Sequence, residues 1–423
     1  MYAISSQDLV AFYCPCARAV WLLYCKGELT MKKAVVIGGA NGIGASIARQ
    51  LIKDGYFACI LDKVAPKEGA LPGGQYSYVA CNLLAPNEEL FATLAGDEDV
   101  CALVITAGYG RVADFEHIHT VEIQNMMQVN AVSVMKIVRH FYGRIKSDSD
   151  FYTAVMCSIA GLVSSPAFSV YAASKAALCR FIESINVELE VAGVKNRVLS
   201  VSPGSIKGTK FHGGENQPEL TENLAKSIVE HARARELVYI PEYDEVYKGV
   251  IERYRSNSHA FGVESYEYKR SAGRIANKKG VRIGYLSGTF DLFHMGHLNL
   301  LKRAKDNCDY LIVGVHPNAN HKAKSTFIPF EERKAVVGGC RYVDRVVESF
   351  PEDCDAWDAY HYDVLFVGSD YKGTERFKRY EEYFADKGVD IVYFDYTQGT
   401  SSTQIREKII SETLGKSSDG KGN

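Results

Sequence analysis

The sequence predicts two α/β domains, because strand-like and helix-like stretches alternate in two separate runs. From Met31 onward, short apolar segments such as AVVIGG, FACILD and ALVITAG are separated by longer amphipathic stretches. Strands that alternate with helices favour a parallel sheet with helical crossovers. The alternation fades near Tyr254 and starts again with RIGYLSG, YLIVGV and VLFVGSD. Each run has a loop after its first strand, IGGANGIG in the first run and GTFDLFHMGH in the second.

Length and composition favour an enzyme-sized protein. The chain has 423 residues, which is long for a single hydrophobic core. It is 47% hydrophobic and 24% charged with a net charge of −2, a near balance that gives no indication of a nucleic-acid or membrane partner. The 11 cysteines are scattered and form no Cys-x-x-Cys pair. We therefore expect reduced thiols in a cytoplasmic protein.

Changes in composition predict the domain boundaries. The segment LVAFYCPCARAVWLLYC is too short and too interrupted for a membrane span, although a weak signal-like segment is an alternative. The polar stretch 256–280 lacks apolar periodicity and is typical of a linker. The predicted parts are an extension without a role in the fold at 1–30, a first domain at 31–255, the linker, a second domain at 281–410 and a disordered tail at 411–423.

The first loop has the pattern of a dinucleotide site. Gly38, Gly42 and Gly44 lie between a strand and a helix, where glycine lets the backbone approach a pyrophosphate at the helix N-terminus. A glycine triad alone is a weak signal. It is strengthened by Asp62, which ends the next strand, where an acidic side chain accepts hydrogen bonds from a ribose 2′-hydroxyl. Asp62 favours NAD(H) because its charge repels a 2′-phosphate, although Lys63 could offset that charge.

A tyrosine and a lysine one helical turn apart indicate proton-transfer chemistry in the first domain. In SVYAASKAAL, Tyr171 and Lys175 lie side by side on a predicted helix. Tyr142 and Tyr383 precede a lysine at the same spacing, so the pair alone is weak evidence. Only Tyr171 also has a serine, Ser158, at the end of a strand upstream. A neighbouring ammonium is expected to lower the pKa of a tyrosine towards neutrality, which suits acid–base catalysis.

This constellation resembles the short-chain dehydrogenase/reductase family over about residues 31–255. The resemblance implies a Rossmann doubly wound parallel sheet and an NAD(P)H-dependent reductase. It implies that Tyr171 protonates the substrate oxygen beside Lys175, that Ser158 hydrogen-bonds the carbonyl and that Asn130, in QVNAVS, holds the proton relay.

Other positions of the first domain match or depart from that family in cofactor binding. The further matching residues are Ile43, Ala107, Gly108, Pro203, Gly204 and Ile206, the last three within SPGSIKGT. Ile105-Thr106 stands where the family has Asn-Asn, and Asn82 stands where an aspartate near the adenine is usual. Both departures concern support of the cofactor more than the chemistry.

GTFDLFHMGH predicts a phosphate-gripping site in the second domain. His294 and His297 are three residues apart at a predicted helix start, so both can face one pocket. A zinc site is an alternative, but no third ligand lies nearby and the His-Glu-x-x-His spacing is absent. Histidines packed by chance would not explain the Thr289-Phe290-Asp291 prefix.

The second loop resembles the HxGH nucleotidylyltransferase superfamily, and residues 281–408 are most similar to the glycerol-3-phosphate type of cytidylyltransferase. Three later segments match in order: HKAKSTFIPFEERK, VLFVGSD and QGTSSTQIR. The resemblance implies a smaller Rossmann-like sheet on which a substrate phosphate attacks the α-phosphorus of CTP. Such catalysis is mainly positioning and charge neutralisation.

The resemblance also implies roles for residues of this domain. His294 and His297 would hold the α- and β-phosphates, while Lys322 and Lys324 would steady the transferring phosphates, with Mg²⁺ accompanying CTP. The other implied nucleotide-binding residues are Gly288, Thr289, Phe290, Asp291, Asp370, Ser401, Ser402 and Thr403. Tyr396 stands where the family has arginine, which leaves ATP open as the nucleotide.

Together the two resemblances imply consecutive steps, from a keto-sugar phosphate to a polyol phosphate to a CDP-polyol. The leading expectation is ribulose 5-phosphate to ribitol 5-phosphate to CDP-ribitol, with dihydroxyacetone phosphate to CDP-glycerol as the alternative. Such products are donors for bacterial teichoic acids and capsules. A regulatory or binding protein with degenerate sites is an alternative of another class. The families also imply a homo-oligomer, dimer or tetramer, with small-molecule substrates and neither nucleic-acid nor membrane partners.

Overall fold

A computed structural model describes residues 32–209, 211, 217–278, 280–318, 325–395, 404, 405 and 411. It divides into two compact units, Met1–Lys278 and Lys279–Asn423. The predicted N-terminal extension and all of the predicted tail except Ser411 lie outside the described residues. In the described ranges, no helix combines the length and the apolar character needed to cross a bilayer.

The described part of the first unit contains a parallel sheet with helices on both faces. Its seven strands have the spatial order β3-β2-β1-β4-β5-β6-β7. The strands are β1 (Lys33–Ile37), β2 (Phe57–Asp62), β3 (Tyr76–Ala80), β4 (Val100–Ile105), β5 (Tyr152–Met156), β6 (Val198–Val201) and β7 (Val238–Tyr239). The helices are α1 (Gly42–Lys53), α2 (Glu88–Gly96), α3 (Thr120–Met127), α4 (Ser133–Ile145), α5 (Ser169–Val191), α6 (Glu222–Arg233), α7 (Lys248–Ser256) and α8 (Ser258–Ser271).

Strand β1 shows why the sheet is covered on both faces. Its side chains alternate between two hydrophobic layers, with Val35 and Ile37 in one and Ala34 and Val36 in the other, and none is more than 1% exposed. Helices α4 and α5 cover the first layer, while α1 and α6 cover the second. Burying one such aliphatic side chain contributes about 1.5–3 kcal/mol. The predicted doubly wound parallel sheet is confirmed.

The described part of the second unit contains a smaller parallel sheet of five strands in the order β10-β9-β8-β11-β12. The strands are β8 (Ile283–Gly288), β9 (Tyr310–Val315), β10 (Arg345–Glu348), β11 (Val364–Gly368) and β12 (Asp390–Phe394). The helices are α9 (Met295–Asp306), α10 (Phe330–Gly338), α11 (Asp353–Tyr360) and α12 (Glu375–Phe384). The strand order reverses between β8 and β11, and ligands of such sheets bind at the carboxyl ends of the strands at this switch point.

Residues 256–280, for which the sequence predicts a linker, are largely part of the first unit. Helix α8 occupies most of this stretch, and the first unit extends to Lys278. Lys269 and Tyr266 of α8 are hydrogen-bonded to residues of the unit that lie more than 100 positions earlier in the chain. These contacts are polar, so they leave no apolar periodicity in the sequence.

Candidate active sites

The glycine loop of the first unit has no room for side chains where it turns from β1 into α1. Gly38 has a φ of +83° and Gly42 a φ of +51°, both in the region that favours glycine. A Cβ atom at Gly44 would overlap the Gly38 carbonyl and the Thr106 hydroxyl. Thr106, one of the departures noted in the sequence, donates hydrogen bonds of 3.2 and 3.1 Å to the carbonyls of Ile37 and Gly38. Its hydroxyl thereby fastens the loop to the end of β4.

Asp62, at the end of β2, lies against the same loop. Its carboxylate accepts hydrogen bonds from the backbone amides of Ala40 at 3.1 Å and Val64 at 3.3 Å. The glycine loop, which has no room for a Cβ at Gly44, fits the pyrophosphate of a dinucleotide. The acidic group of Asp62 beside the loop fits its ribose. Ile43 follows Gly42 in the first turn of α1.

Asn130 lies in a π-helical turn, Gln128–Val132, that joins α3 to α4. Single π-helical turns often occur at functional sites. The Asn130 side chain is fully buried and donates to the Tyr109 carbonyl at 2.8 Å and to the Ser174 hydroxyl at 3.0 Å. It also accepts from the Tyr109 amide at 3.0 Å. Ser174 in turn donates to the Tyr171 carbonyl at 2.7 Å, so Asn130 is connected to the helix that bears the tyrosine.

Tyr171 and Ser158, which the sequence predicts to act together, are neighbours in the structure. Tyr171 is 6% exposed, and its phenol is hydrogen-bonded to the Ser158 side chain. Phe168 stacks on the Tyr171 ring with 4.2 Å between ring centroids. The ring centroids of Phe211 and Tyr171 are 5.3 Å apart. Neither phenylalanine was predicted as part of the site: Phe168 belongs to no motif although it is three residues from Tyr171, and Phe211 reaches the tyrosine only through the fold.

Lys175 does not lower the pKa of Tyr171 in this structure. Burial raises the pKa of Tyr171 to about 12, and the hydrogen bond with Ser158 opposes this only in part. The Lys175 ammonium lies 5.7 Å from the centre of the phenol ring and donates to the Met156 carbonyl at 2.7 Å. Burial also lowers the pKa of Lys175 itself. The expected lowering of the Tyr171 pKa is therefore wrong, since desolvation of the phenol outweighs the nearby charge.

Two backbone segments complete the first site. Ala107 donates its amide to Ile37, and a Cβ at Gly108 would lie 3.2 Å from both Asn130 Oδ1 and Lys175 Nζ. The Pro203 carbonyl accepts the amide of Ile159 at 3.0 Å, which holds the turn Pro203-Gly204 beside Ser158.

Tyr247, which belongs to no motif of the sequence, lies against the Pro203-Gly204 turn. A Cβ at Gly204 would overlap its phenol oxygen, so glycine is required for this contact. Ile206, two residues after Gly204, is partly buried.

In the second unit, both histidines of GTFDLFHMGH lie at the start of α9. His294 precedes the helix, and its Nδ1 accepts the Gly296 amide at 3.0 Å, while Nδ1 of His297 accepts the His294 amide at 3.4 Å. The ring centroids are 4.1 Å apart. A neutral ring that accepts at Nδ1 has its proton on Nε2, which is the donor that a phosphate oxygen needs. Burial lowers the pKa of His294, which favours this neutral form.

Asp291 and Arg333 fasten the loop after β8 to the segment before α10. Asp291 is 5% exposed and accepts the amides of Phe327 and Ile328 at 3.0 Å. Arg333 is 1% exposed and donates to backbone carbonyls on both sides of the segment 319–324. These carbonyls belong to Thr289, His316, Pro317 and Ile328. In the sequence, Arg333 stands out only as part of the segment HKAKSTFIPFEERK.

The remaining predicted residues of this site are only partly described. Asp370 is exposed and follows β11 in the turn Ser369–Tyr371, and β11 is the neighbour of β8. Gly288 ends β8, Thr289 follows it, and Phe290 is 3% exposed with a φ of +52°. Lys322, Lys324, Ser401, Ser402 and Thr403 lie outside the described residues. Within the described ranges, no cluster of three or more His, Cys, Asp or Glu side chains has the arrangement of a metal site.

Two family models match separate parts of the chain. Residues 32–220 match the model of the short chain dehydrogenases, and residues 285–408 match the model described as cytidylyltransferase-like. Among solved structures, a short chain dehydrogenase from Burkholderia cenocepacia J2315 in complex with NADP aligns with 55% of this chain and 98% of its own, at 23% identity and a TM-score of 0.45.

Curated relatives match the second unit. The glycerol-3-phosphate cytidylyltransferase of Bacillus subtilis (strain 168) is 34% identical over 126 residues, which are 29% of this chain and 92% of the relative. The enzyme of the same name from Staphylococcus aureus (strain NCTC 8325 / PS 47) is 32% identical over 126 residues, 29% of this chain and 90% of the relative. The ethanolamine-phosphate cytidylyltransferase of Dictyostelium discoideum is 35% identical over 173 residues, 38% of this chain, and the match spans 46% of that relative.

The chain therefore belongs to the cytidylyltransferase-like family through residues 285–408, and it has a short chain dehydrogenase domain in residues 32–220. The two domains indicate an enzyme with an oxidoreductase and a cytidylyltransferase activity.

Proposed function

We propose that the chain reduces a keto-sugar phosphate to a polyol phosphate and then couples this product to CTP. In the first step, a ketone, a hydride from NAD(P)H and a proton give the alcohol and NAD(P)⁺. In the second step, the phosphate of the product attacks the α-phosphorus of CTP, and pyrophosphate leaves. The observation that supports this proposal most is the presence of two catalytic arrangements on one chain, around Tyr171 and around His294 and His297.

The first site supports reduction of a carbonyl group. Tyr171 would donate its proton to the substrate oxygen, and Ser158, which already binds the phenol, would hold that oxygen. The buried hydrogen bonds from Asn130 to Ser174 and from Ser174 to the Tyr171 carbonyl would keep α5 in place. When bound, the nicotinamide cofactor supplies the hydride, and the loop around Gly44 with Asp62 would hold its pyrophosphate and ribose. The position of Asp62 beside the loop amides supports NADH over NADPH.

The second site supports transfer of a nucleotidyl group. Both histidines would use Nε2 to donate to phosphate oxygens, because each Nδ1 accepts a backbone amide. Asp291 and Arg333 fix the residues that flank the segment containing Lys322 and Lys324. In this proposal those lysines, Asp370 and the hydroxyls of Ser401, Ser402 and Thr403 complete the nucleotide site, and Mg²⁺ accompanies the triphosphate. The chemistry consists of positioning and charge neutralisation.

The shared phosphorylated intermediate supports the order of the two steps. Our first candidate is ribulose 5-phosphate to ribitol 5-phosphate to CDP-ribitol, an activated donor for teichoic acid or capsule synthesis in the cytoplasm. The second candidate is CDP-glycerol from dihydroxyacetone phosphate. It is favoured by the two relatives named glycerol-3-phosphate cytidylyltransferase, whose lengths the chain covers to 90% and 92%.

A coupled assay tests the proposal. Purified full-length protein is incubated with NADH or NADPH, CTP or ATP, Mg²⁺, and either ribulose 5-phosphate or dihydroxyacetone phosphate. We expect oxidation of the cofactor, release of pyrophosphate and a nucleotide product whose mass identifies the polyol. Cofactor oxidation without a nucleotide product from any polyol phosphate would exclude the second step. Transfer to an added polyol phosphate, ribitol 5-phosphate or glycerol 3-phosphate, without reduction of either ketose phosphate would exclude the first step.

A further inference from the structure

The segment 257–278, which lies beyond the dehydrogenase match, is bound to the loop that follows β5. The Lys269 ammonium of α8 donates to the Ser165 hydroxyl at 3.0 Å and to the Pro166 carbonyl at 2.8 Å. Its third acceptor is the Ser265 hydroxyl of its own helix at 3.3 Å. Lys269 therefore holds a backbone turn with a charge-assisted hydrogen bond, which is stronger than a bond between neutral groups.

That turn has an unusual backbone conformation. Ala167, the residue after Pro166, has a φ of +58°, a left-handed conformation that a residue with a Cβ adopts only under constraint. The Phe168 amide donates to the Ser165 carbonyl at 3.0 Å and closes the turn. The Ala167 carbonyl accepts the Ala113 amide at 2.8 Å, so the turn is also joined to the loop after β4.

The same segment fastens the loop after β4. Asp114 accepts hydrogen bonds from Tyr266 at 2.9 Å and Asn277 at 2.8 Å, and the Ala276 amide donates to the Val112 carbonyl at 2.9 Å. Both loops at this edge of the sheet are thus held from one side by the segment 257–278.

The constrained turn ends at the residue that packs on Tyr171. Phe168 and Tyr171 are stacked with 4.2 Å between centroids and 18° between ring planes. Gly110, in the loop after β4, leaves no space beside the two rings, because a Cβ there would lie 2.6 Å from both. The plane of the phenol is therefore set by Phe168, and the position of Phe168 is set by the turn that Lys269 holds.

We propose that Lys269 is a positioning residue for the reductase reaction, which acts through the turn Ser165–Phe168 to orient the phenol of Tyr171. This inference rests on the proposed role of Tyr171 as proton donor. The ammonium keeps Ala167 in its left-handed conformation and Phe168 stacked on the phenol, so that the Tyr171 oxygen faces Ser158. The described hydrogen bonds of Lys269 go to Ser165, Pro166 and Ser265, so its proposed effect on the reaction passes through the turn.

The test compares Lys269→Met and Lys269→Arg with Lys248→Met in the full-length protein. Methionine keeps the apolar part of the side chain and removes its donors, whereas arginine keeps a charged donor. Lys248, on α7, is exposed and serves as the matched control. Steady-state reduction gives kcat and KM, and NAD(P)H fluorescence measures cofactor binding and shows that the variants are folded.

We expect Lys269→Met to lower kcat for reduction by about 10-fold to 100-fold, since small misplacements of catalytic groups have effects of this size. The Kd for NAD(P)H should stay unchanged, because the glycine loop and Asp62 lie on other elements. Lys269→Arg should recover most of the activity, and Phe168→Leu should lower kcat in the same way as Lys269→Met. Lys248→Met should match the unaltered protein.

Three outcomes would overturn the inference. One is an unchanged kcat in Lys269→Met, and another is a loss of kcat that is matched by an equal loss of cofactor binding. The third is a kcat for Lys269→Arg that is as low as that of Lys269→Met, together with an unchanged kcat for Phe168→Leu. Tyr171→Phe is measured alongside. If Tyr171→Phe is inactive and Lys269→Met fully active, only the positioning role fails. If Tyr171→Phe keeps full activity, the proposed role of Tyr171 fails and this inference fails with it.

Discussion

The Lys175 ammonium donates a hydrogen bond of 2.7 Å to the carbonyl oxygen of Met156, at the end of β5. This bond joins α5 to the strand end from which Ser158 follows, so it fixes the spacing between the tyrosine and the serine. The contact of Lys175 with Met156 is therefore positional, and burial rather than the Lys175 charge sets the direction of the Tyr171 pKa.

The pH dependence of the two reaction directions should reflect the raised pKa of Tyr171. Since burial raises this pKa to about 12, the phenol stays protonated at neutral pH. Reduction needs the protonated form, so kcat/KM for reduction should show no loss due to Tyr171 between about pH 6 and pH 9. Oxidation of the polyol phosphate needs the phenolate and should become faster as pH rises. Initial rates in both directions check this, and a loss of reduction rate centred near pH 7 would contradict it.

Replacement of Tyr171 by phenylalanine should abolish reduction and spare nucleotidyl transfer. Loss of a general acid lowers a rate by about 10²–10⁴-fold. Tyr142→Phe is the matched control, because Tyr142 also precedes a lysine at the same spacing but lies on α4, where it is partly buried and donates a hydrogen bond to Glu188 at 3.4 Å. Oxidation of NAD(P)H and release of pyrophosphate are measured on the same samples. Loss of both activities in Tyr171→Phe would argue against independent sites.

A methyl group at Gly44 should prevent cofactor binding. Its Cβ would overlap the Gly38 carbonyl, so the turn between β1 and α1 must open. Gly143→Ala on α4 is the control, because no atom lies within 4 Å of a Cβ there, and alanine in a helix is favoured over glycine by about 1 kcal/mol. Fluorescence titration with NADH and thermal unfolding distinguish the two variants. Normal NADH affinity in Gly44→Ala would contradict the assignment of the loop.

Replacement of His297 by asparagine should remove nucleotidyl transfer and leave reduction intact. Loss of one preorganised donor to a reacting phosphate costs about 10²–10³-fold in kcat. His361→Asn is the control, because His361 ends α11 with a φ of +46°, which asparagine tolerates. The readout is pyrophosphate release from CTP and a polyol phosphate. Equal losses of pyrophosphate release in His297→Asn and His361→Asn would contradict a role for His297 in transfer.

Replacement of Arg333 by methionine should impair transfer although Arg333 is buried away from solvent. The substitution leaves the backbone carbonyls of Thr289, His316, Pro317 and Ile328 without this donor, and each unpaired buried group costs about 1–3 kcal/mol. Lys302→Met on α9, at an exposed position, is the control. We expect a lower unfolding temperature for the second unit and weaker binding of CTP, with unchanged reduction. A variant that binds CTP normally would show that Arg333 has no part in the site.

Much of the candidate sites could be predicted because their residues are close in sequence. Tyr171 and Lys175 share a helix face, and His294 and His297 share one helix start, so spacing alone places each pair together. The glycines of the first loop were predicted for the same reason, since a strand, a turn and a helix follow one another directly.

Other features could not be predicted, because they depend on residues far apart in the chain. The role of Thr106 requires the contact between β4 and the glycine loop, some 68 residues earlier. Helix α8 attaches to the first unit through Lys269, Tyr266 and Asn277, and such hydrogen bonds leave no periodic pattern. The sequence therefore predicted a linker where the structure has a helix.

The sequence by itself determined the two parallel sheets and supplied the candidate residues of both sites, because apolar periodicity and local spacing report the faces of single elements. Only the tertiary structure decided the raised pKa of Tyr171 and the hydrogen bond between Lys175 and Met156. It also decided the hydrogen bond from Lys269 to the Pro166 carbonyl in the turn before Phe168. Desolvation and long-range hydrogen bonds depend on which elements pack against one another, and that information exists only once the chain has folded.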